Sequence, residues 1–298
     1  TRTLPTTTLC RPRQSYIDKN HEQRRPLTSH PCHAGTMEID FTLRPDPTAA
    51  FRSLGAGSST AVLFLHGITG SPVSWVPIAR AIAAEGIDVS VPLLPGHGTT
   101  WQDMDSTGWA DWLGEARTEL GRLQADHDRV IVAGLSMGGA LALSLAAAEA
   151  SPDEIIVVNP ALYVDSPFAP LLPVLKHFVR TIPSIGGDIA HPDRDEYAYD
   201  RTPLAPMASF HRALTTVRED LWKIDCPVTA MISGEDNVVG PLTLRALRSD
   251  LPHPPHIVAL RRSRHVATLD FDADTIAEAV LQAARTEAAV HSPSETGE

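Results

Sequence analysis

From residue 60 onward the chain alternates between short, largely apolar strand-like runs and longer helix-like stretches. The strand-like runs occupy residues 61–65, 87–91, 129–133, 155–158, 227–232 and 256–260, with Asp88 and Ser90 interrupting the second and Thr229 the fifth. They are rich in Val, Ile, Leu and Ala, the pattern of strands covered on both faces. Between them, residues 72–84, 109–124, 140–148, 242–250 and 274–287 read as helices, the first bounded by Ser71-Pro72 at its start and Gly86 at its end. Strands and helices alternating in this way predict an α/β fold: a mostly parallel central sheet with helices on both faces. In such a sheet ligands bind beyond the carboxyl ends of the strands. Earlier in the chain, residues 37–43 (MEIDFTL) alternate apolar and polar side chains and predict a first strand.

One interval breaks the alternation. Residues 160–208 carry many prolines, an apolar patch at 168–179 and a polar stretch at 186–201, with no buried-strand pattern. That is too long for a plain loop. It predicts a small, partly helical cap over the carboxyl edge of the sheet, with a helix at 211–222 returning the chain to the core. Residues 1–36 lack apolar periodicity and hold six basic side chains against Asp18 and Glu22. They read as a disordered extension ahead of a domain spanning 37–298, with an organelle-targeting segment as the alternative.

Charge narrows the partners. With 25 basic and 36 acidic residues the chain carries a net charge of -11, which argues against nucleic acid and anionic membrane surfaces and suits a small uncharged substrate. No run approaches 18 apolar residues, so stable membrane insertion is not expected, and the default location is the cytoplasm. Three cysteines, Cys10, Cys32 and Cys226, make no disulfide framework. His21, His30, His33 and Cys32 fit no zinc spacing. Nothing in the sequence sets the oligomeric state.

The candidate chemistry starts in VIVAGLSMGGALALSLAAA, residues 130–148, where Ser136 stands between Gly134 and Gly138 at the reversal from strand to helix. At typical residue frequencies G-x-S-x-G arises by chance in roughly 0.1 of chains this long, so its strand-to-helix context carries the inference. A serine there is a nucleophile candidate, and it needs a base. His66, His97, His127 and His265 compete; chain order favours His265, five residues past the last strand run. For the acid that orients the histidine, Asp236 follows the 227–232 run, with Glu235 and Asp270 as rivals. The loop His66-Gly67-Ile68-Thr69-Gly70 presents backbone N–H groups to a developing oxyanion, the donors expected being Ile68 and Met137. No metal or organic cofactor is called for, because base, acid and oxyanion donors are all protein groups.

Five motifs taken in order, HGITGSP at 66–72, PLLPGHGT at 92–99, GLSMGG at 134–139, GEDNVV at 234–239 and SRH at 263–265, resemble the α/β-hydrolase superfamily, and within it the small bacterial carboxylesterase and monoacylglycerol lipase group. The resemblance covers residues 60 to about 285, and YDRTPL at 199–204 is similar to that group's cap exit. It implies a sheet of about seven to eight strands with a small cap, Ser136 as nucleophile, Asp236 and His265 as its partners, and Ile68 and Met137 as oxyanion donors. Ile68 departs from the group's pattern, since a bulky aromatic is common there. The implied activity is ester hydrolysis through an acyl-enzyme, on short- to medium-chain monoesters such as monoacylglycerols. Phe168, Leu172 and Leu175 of the insertion are candidates for the acyl site, with plain cap packing as the other reading. Trp101, Trp109 and Trp112 are candidates to wall it. Acyl transfer, carbon–carbon cleavage and perhydrolysis use the same machinery, and a non-catalytic binding module on the same scaffold is the reading from another class.

Overall fold

The computed structural model describes residues 37, 39–42, 45–164 and 171–286; the extension expected at 1–36 and Phe168 lie outside the described residues. Seven strands form the main sheet: β1 (Phe51–Ser53), β2 (Thr60–Leu65), β3 (Asp88–Val91), β4 (Arg129–Leu135), β5 (Glu154–Val158), β8 (Val228–Ser233) and β9 (His256–Leu260). Their order is β1-β3-β2-β4-β5-β8-β9, with β1 antiparallel and every other neighbour parallel. A separate two-stranded ribbon pairs β6 (Thr181–Pro183) with β7 (Arg201–Pro203).

The helices are α1 (Val76–Ala84), α2 (Trp101–Met104), α3 (Trp109–Asp126), α4 (Met137–Ala146), α5 (Leu172–Leu175), α6 (Leu204–Glu219), α7 (Leu242–Asp250) and α8 (Ala273–Arg285). Alternate residues of each central strand feed two cores. Leu63, Val132 and Val157 pack with α3, α4 and α6 on one face; Phe64, Ile131 and Ile156 pack with α1 and α8 on the other. With every side chain of β2 buried, period-2 alternation disappears, and the strand reads in sequence as an unbroken apolar run.

Three elements differ from expectation. Residues 37 and 39–42 form no strand: Met37, Ile39 and Phe41 alternate because they pack against the α1–α8 core. The edge position belongs to β1, which pairs Phe51 with Val91 and leaves Arg52 and Ser53 exposed, too short and too polar to carry an apolar signature. The helix expected at 211–222 is α6, which starts seven residues earlier at Leu204 directly from β7, and a 3₁₀ turn at Leu221–Lys223 follows it. Within the interval read as a cap lie α5 and the β6–β7 ribbon. The ribbon's strands of three residues each contain a proline, so neither gives a strand signal.

Candidate active site

The turn at Ser136 is built by its glycines. A side chain at Gly134 would collide with the backbone of Gly138, and one at Gly138 would collide with the carbonyls of Leu65 and His66 at the end of β2. Gly139 has Pro160 at 2.7 Å from where its side chain would start. Strand and helix therefore approach as closely as backbone permits, and α4 begins at Met137, earlier than the glycine pair suggests from propensity. Ser136 sits at the apex with φ 54° and ψ -115°, a left-handed conformation that a non-glycine residue adopts at a cost of about 1–3 kcal/mol. Its hydroxyl does not cap α4 and forms no hydrogen bond among the described residues, and the residue is 6% exposed.

Because β4, β5, β8 and β9 are consecutive and parallel, the loops after them share one edge. Asp236, after β8, and His265, after β9, meet there with Asp236 Oδ2 2.8 Å from His265 Nδ1, both side chains nearly buried. A carboxylate accepts only, so Nδ1 carries the proton and Nε2 is left as the basic nitrogen. The other oxygen, Oδ1, accepts from the amides of Val238 and Val239, each at 2.8 Å, which fixes the carboxylate. Glu235 is exposed, and among the described residues it makes no hydrogen bond or ion pair with His265. Asp270 is spent on backbone amides of Ala190, His191 and Arg264.

The other three histidines are committed elsewhere. His66 is fully buried; its Nε2 accepts from Leu94 N–H at 3.2 Å, so its Nδ1–H donates to Gly67 O at 2.9 Å. That carbonyl belongs to the same peptide unit as the Ile68 N–H, which is thereby held and polarised. Burial, with His97 beside it, pushes His66 down to about 3, so the ring is neutral at physiological pH. His97 is pushed down to about 4 by burial and packs edge-on to Trp112. His127 bridges Leu123 O and Asp88 at the opposite end of the sheet's strands.

Ile68 and Ser136 border an apolar cavity of about 520 Å³, lined also by Leu172, Leu175, Leu204 and Phe210. The Ile68 amide has no hydrogen-bond acceptor among the described residues, and Met137, as the first residue of α4, has none within its helix. Both are thus free to donate. Of the tryptophans, Trp112 is core, Trp109 stacks on Phe210 and Trp101 lies under Arg180; none borders the cavity. A larger groove of about 760 Å³, bordered by Phe41, Arg194 and Tyr197, contains none of the reactive groups, so size alone does not locate the site.

Sequence reasoning missed three polar residues. Asn159, at the end of β5, donates through Nδ2 to His265 O at 2.8 Å. Asp188 accepts from His265 N–H at 3.2 Å and from Asn237. Glu196 is a buried carboxyl that accepts from Gly187 N–H; burial raises it above the usual carboxylate range, partly offset by that bond and by His265. The Asn159 and Asp188 contacts link loops far apart in sequence, and that of Glu196 stays within one irregular segment; no local pattern announces any of them.

A family model for the alpha/beta hydrolase family matches residues 62–279. The chain is 38% identical over 224 residues to the thermostable monoacylglycerol lipase of Bacillus sp. (strain H-257), covering 74% of this chain and 88% of that protein. It is similar, with a TM-score of 0.76 and 31% identity, to a solved structure from LipS and LipT, two metagenome-derived lipolytic enzymes, over 81% of this chain and 98% of that one. The crystal structure of the Paleococcus ferrophilus monoacylglycerol lipase shares the fold, with a TM-score of 0.67 at 16% identity over 79% of this chain and 98% of that one.

Proposed function

Because this chain belongs to the alpha/beta hydrolase family, we propose that it hydrolyses carboxylic esters through an acyl-enzyme on Ser136, with short- to medium-chain monoesters such as monoacylglycerols as its substrates. One observation carries the mechanism: Asp236 and His265 form a buried pair on the strand edge where the strained Ser136 borders an apolar cavity. His265 Nε2 takes the Ser136 proton as the oxygen attacks the ester carbonyl, and the Asp236 carboxylate stabilises the imidazolium that results. The carbonyl oxygen, now an oxyanion, is held by the Ile68 and Met137 amides. Collapse expels the alcohol with a proton from His265. A water molecule, deprotonated by the same nitrogen, then attacks the acyl-enzyme and releases the acid.

The acyl chain lies in the cavity against Leu172 and Leu175, where burial of each methylene contributes about 0.8 kcal/mol. Its volume suits a single chain and a small alcohol. A fluorophosphonate probe with peptide mapping, run beside a panel of p-nitrophenyl esters and monoacylglycerols, tests the reading. Label on Ser136 and turnover of the monoesters are the expected results; label elsewhere, or none with no turnover, overturns it.

A further inference from the structure

The sequence Val158-Asn159-Pro160-Ala161 ends β5, and Asn159 has φ 43°, a left-handed conformation that asparagine tolerates better than most residues. Its main-chain N–H donates to Met231 O on β8 at 2.9 Å. Its neighbours hold both sides of Ser136: the Ser136 N–H donates to Val158 O at 3.0 Å, and the Ala161 N–H donates to Ser136 O at 3.1 Å. The side chain reaches the other way. Oδ1 accepts from Ser233 N–H at 2.7 Å, while Nδ2 lies 2.8 Å from His265 O, 2.9 Å from Ser233 Oγ and 3.2 Å from Arg264 O. The partners dictate the orientation of the amide, since an N–H only donates and a carbonyl only accepts.

We propose that Asn159 is a positioning residue for ester hydrolysis, its amide setting where the backbone of His265 lies relative to Ser136. The inference rests on the serine mechanism above. The first and last of four consecutive residues grip the nucleophile's backbone on both sides, and one side chain between them grips the backbone of the base. Asn159 is 1% exposed and does not border the cavity, so it acts on the reaction through His265 and not on substrate. The His265 loop is tethered further through its own amides, with His265 N–H donating to the Asp188 carboxylate, Val266 N–H to the Asp188 main-chain carbonyl and Arg264 N–H to the Asp270 carboxylate. Among the described residues Asn159 makes the hydrogen bonds that connect that loop to the segment holding Ser136, beside an apolar core that Val158 and Val266 share. A displacement of about 1 Å between reacting groups costs on the order of 10²-fold in rate.

The test compares kcat and KM on p-nitrophenyl butyrate for the full chain and for Asn159→Gly, Asn159→Asp and Ser233→Ala, at a temperature where circular dichroism shows each protein folded. Glycine keeps the left-handed backbone and removes the amide; aspartate keeps the shape and the acceptor for Ser233 N–H but cannot donate to the carbonyls when ionised. Both Asn159 variants are expected to lose about 30-fold or more in kcat with KM within about threefold. Ser233→Ala, which removes two hydrogen bonds of the same buried network, those from Asn159 Nδ2 and to Arg264 O, but leaves His265 O paired, is expected to keep kcat within about threefold. A folded Asn159 variant with kcat within threefold, a loss confined to KM, or a Ser233→Ala loss as large as that at Asn159 overturns the proposal. If one Asn159 variant does not fold, the other decides. The unsubstituted protein separates the two levels: without turnover and label at Ser136 the serine mechanism itself fails and this proposal with it, whereas with both present and Asn159→Gly unimpaired, only the positioning role falls.

Discussion

Ser136 and its glycines show how far single residues are constrained by contact. Gly138 faces the carbonyl ends of β2, which cannot yield without unpairing the sheet, so Gly138→Ala is expected to cost about 3 kcal/mol or more, or to prevent folding altogether. Chemical denaturation checks this, with Gly114→Ala, which meets open space on α3, as the tolerated control. At the positions proposed to be catalytic the expected effects fall on rate and leave the fold alone. Ser136→Ala should lower ester turnover by about 10⁴-fold or more with an unchanged circular-dichroism spectrum. Asp236 touches His265 and Glu235 does not, so Asp236→Asn should reduce kcat by orders of magnitude through the wrong imidazole tautomer while Glu235→Gln stays near the parent value. The reverse ranking in steady-state kinetics would transfer the acid to Glu235.

At the scale of elements, the helix α5 shows one short segment serving two sides. Leu172 and Leu175 border the cavity while Leu171 and Val174 face outward and are exposed. If the inner pair bounds the acyl chain, Leu175→Trp should lower kcat/KM for octanoyl and longer esters by about tenfold or more relative to the butyryl ester. An unchanged chain-length ranking across a p-nitrophenyl series would reduce these leucines to packing. What the sequence made legible follows from the same elements. The parallel strands β2, β4 and β5 are buried on both faces and so announce themselves as apolar runs, and the loops following β4, β8 and β9 carry Ser136, Asp236 and His265 in chain order. Edge and ribbon strands three residues long, with prolines at Pro183 and Pro203, have too few buried positions to be read. Asn159 reads in sequence as a turn former after a strand, because its work is done 106 residues away at His265. Glu196 was illegible for the same reason: its burial is set by how the 184–200 segment folds back beside Thr69 and Gly70.

Across the whole molecule, the buried histidines make stability depend on pH in a way that the surface charge does not. His66 and His97 lie edge to face with ring centroids 4.9 Å apart, lowered to about 3 and about 4 by burial, the first also by the second. In the unfolded chain both titrate near the ordinary value of about 6.5. As pH falls below that value the unfolded state takes up two protons that the native state refuses, so stability declines toward pH 4 with a limiting slope of about 2.7 kcal/mol per pH unit. Glu196 works in the opposite direction. Its carboxyl is raised by burial, so between the ordinary carboxylate range and its native value the folded state holds the extra proton, and acidification adds stability there. The change in net charge from -11 toward neutrality acts on parent and variants alike and cancels in a comparison. His97→Gln keeps a donor for Pro95 O and removes one histidine proton, so its stability should fall less steeply with acid, by up to about 1.4 kcal/mol per pH unit between pH 6 and pH 5. Urea unfolding of both proteins at pH 7, 6 and 5 measures the difference, and parallel lines would mean that His97 is protonated in the native state despite its burial.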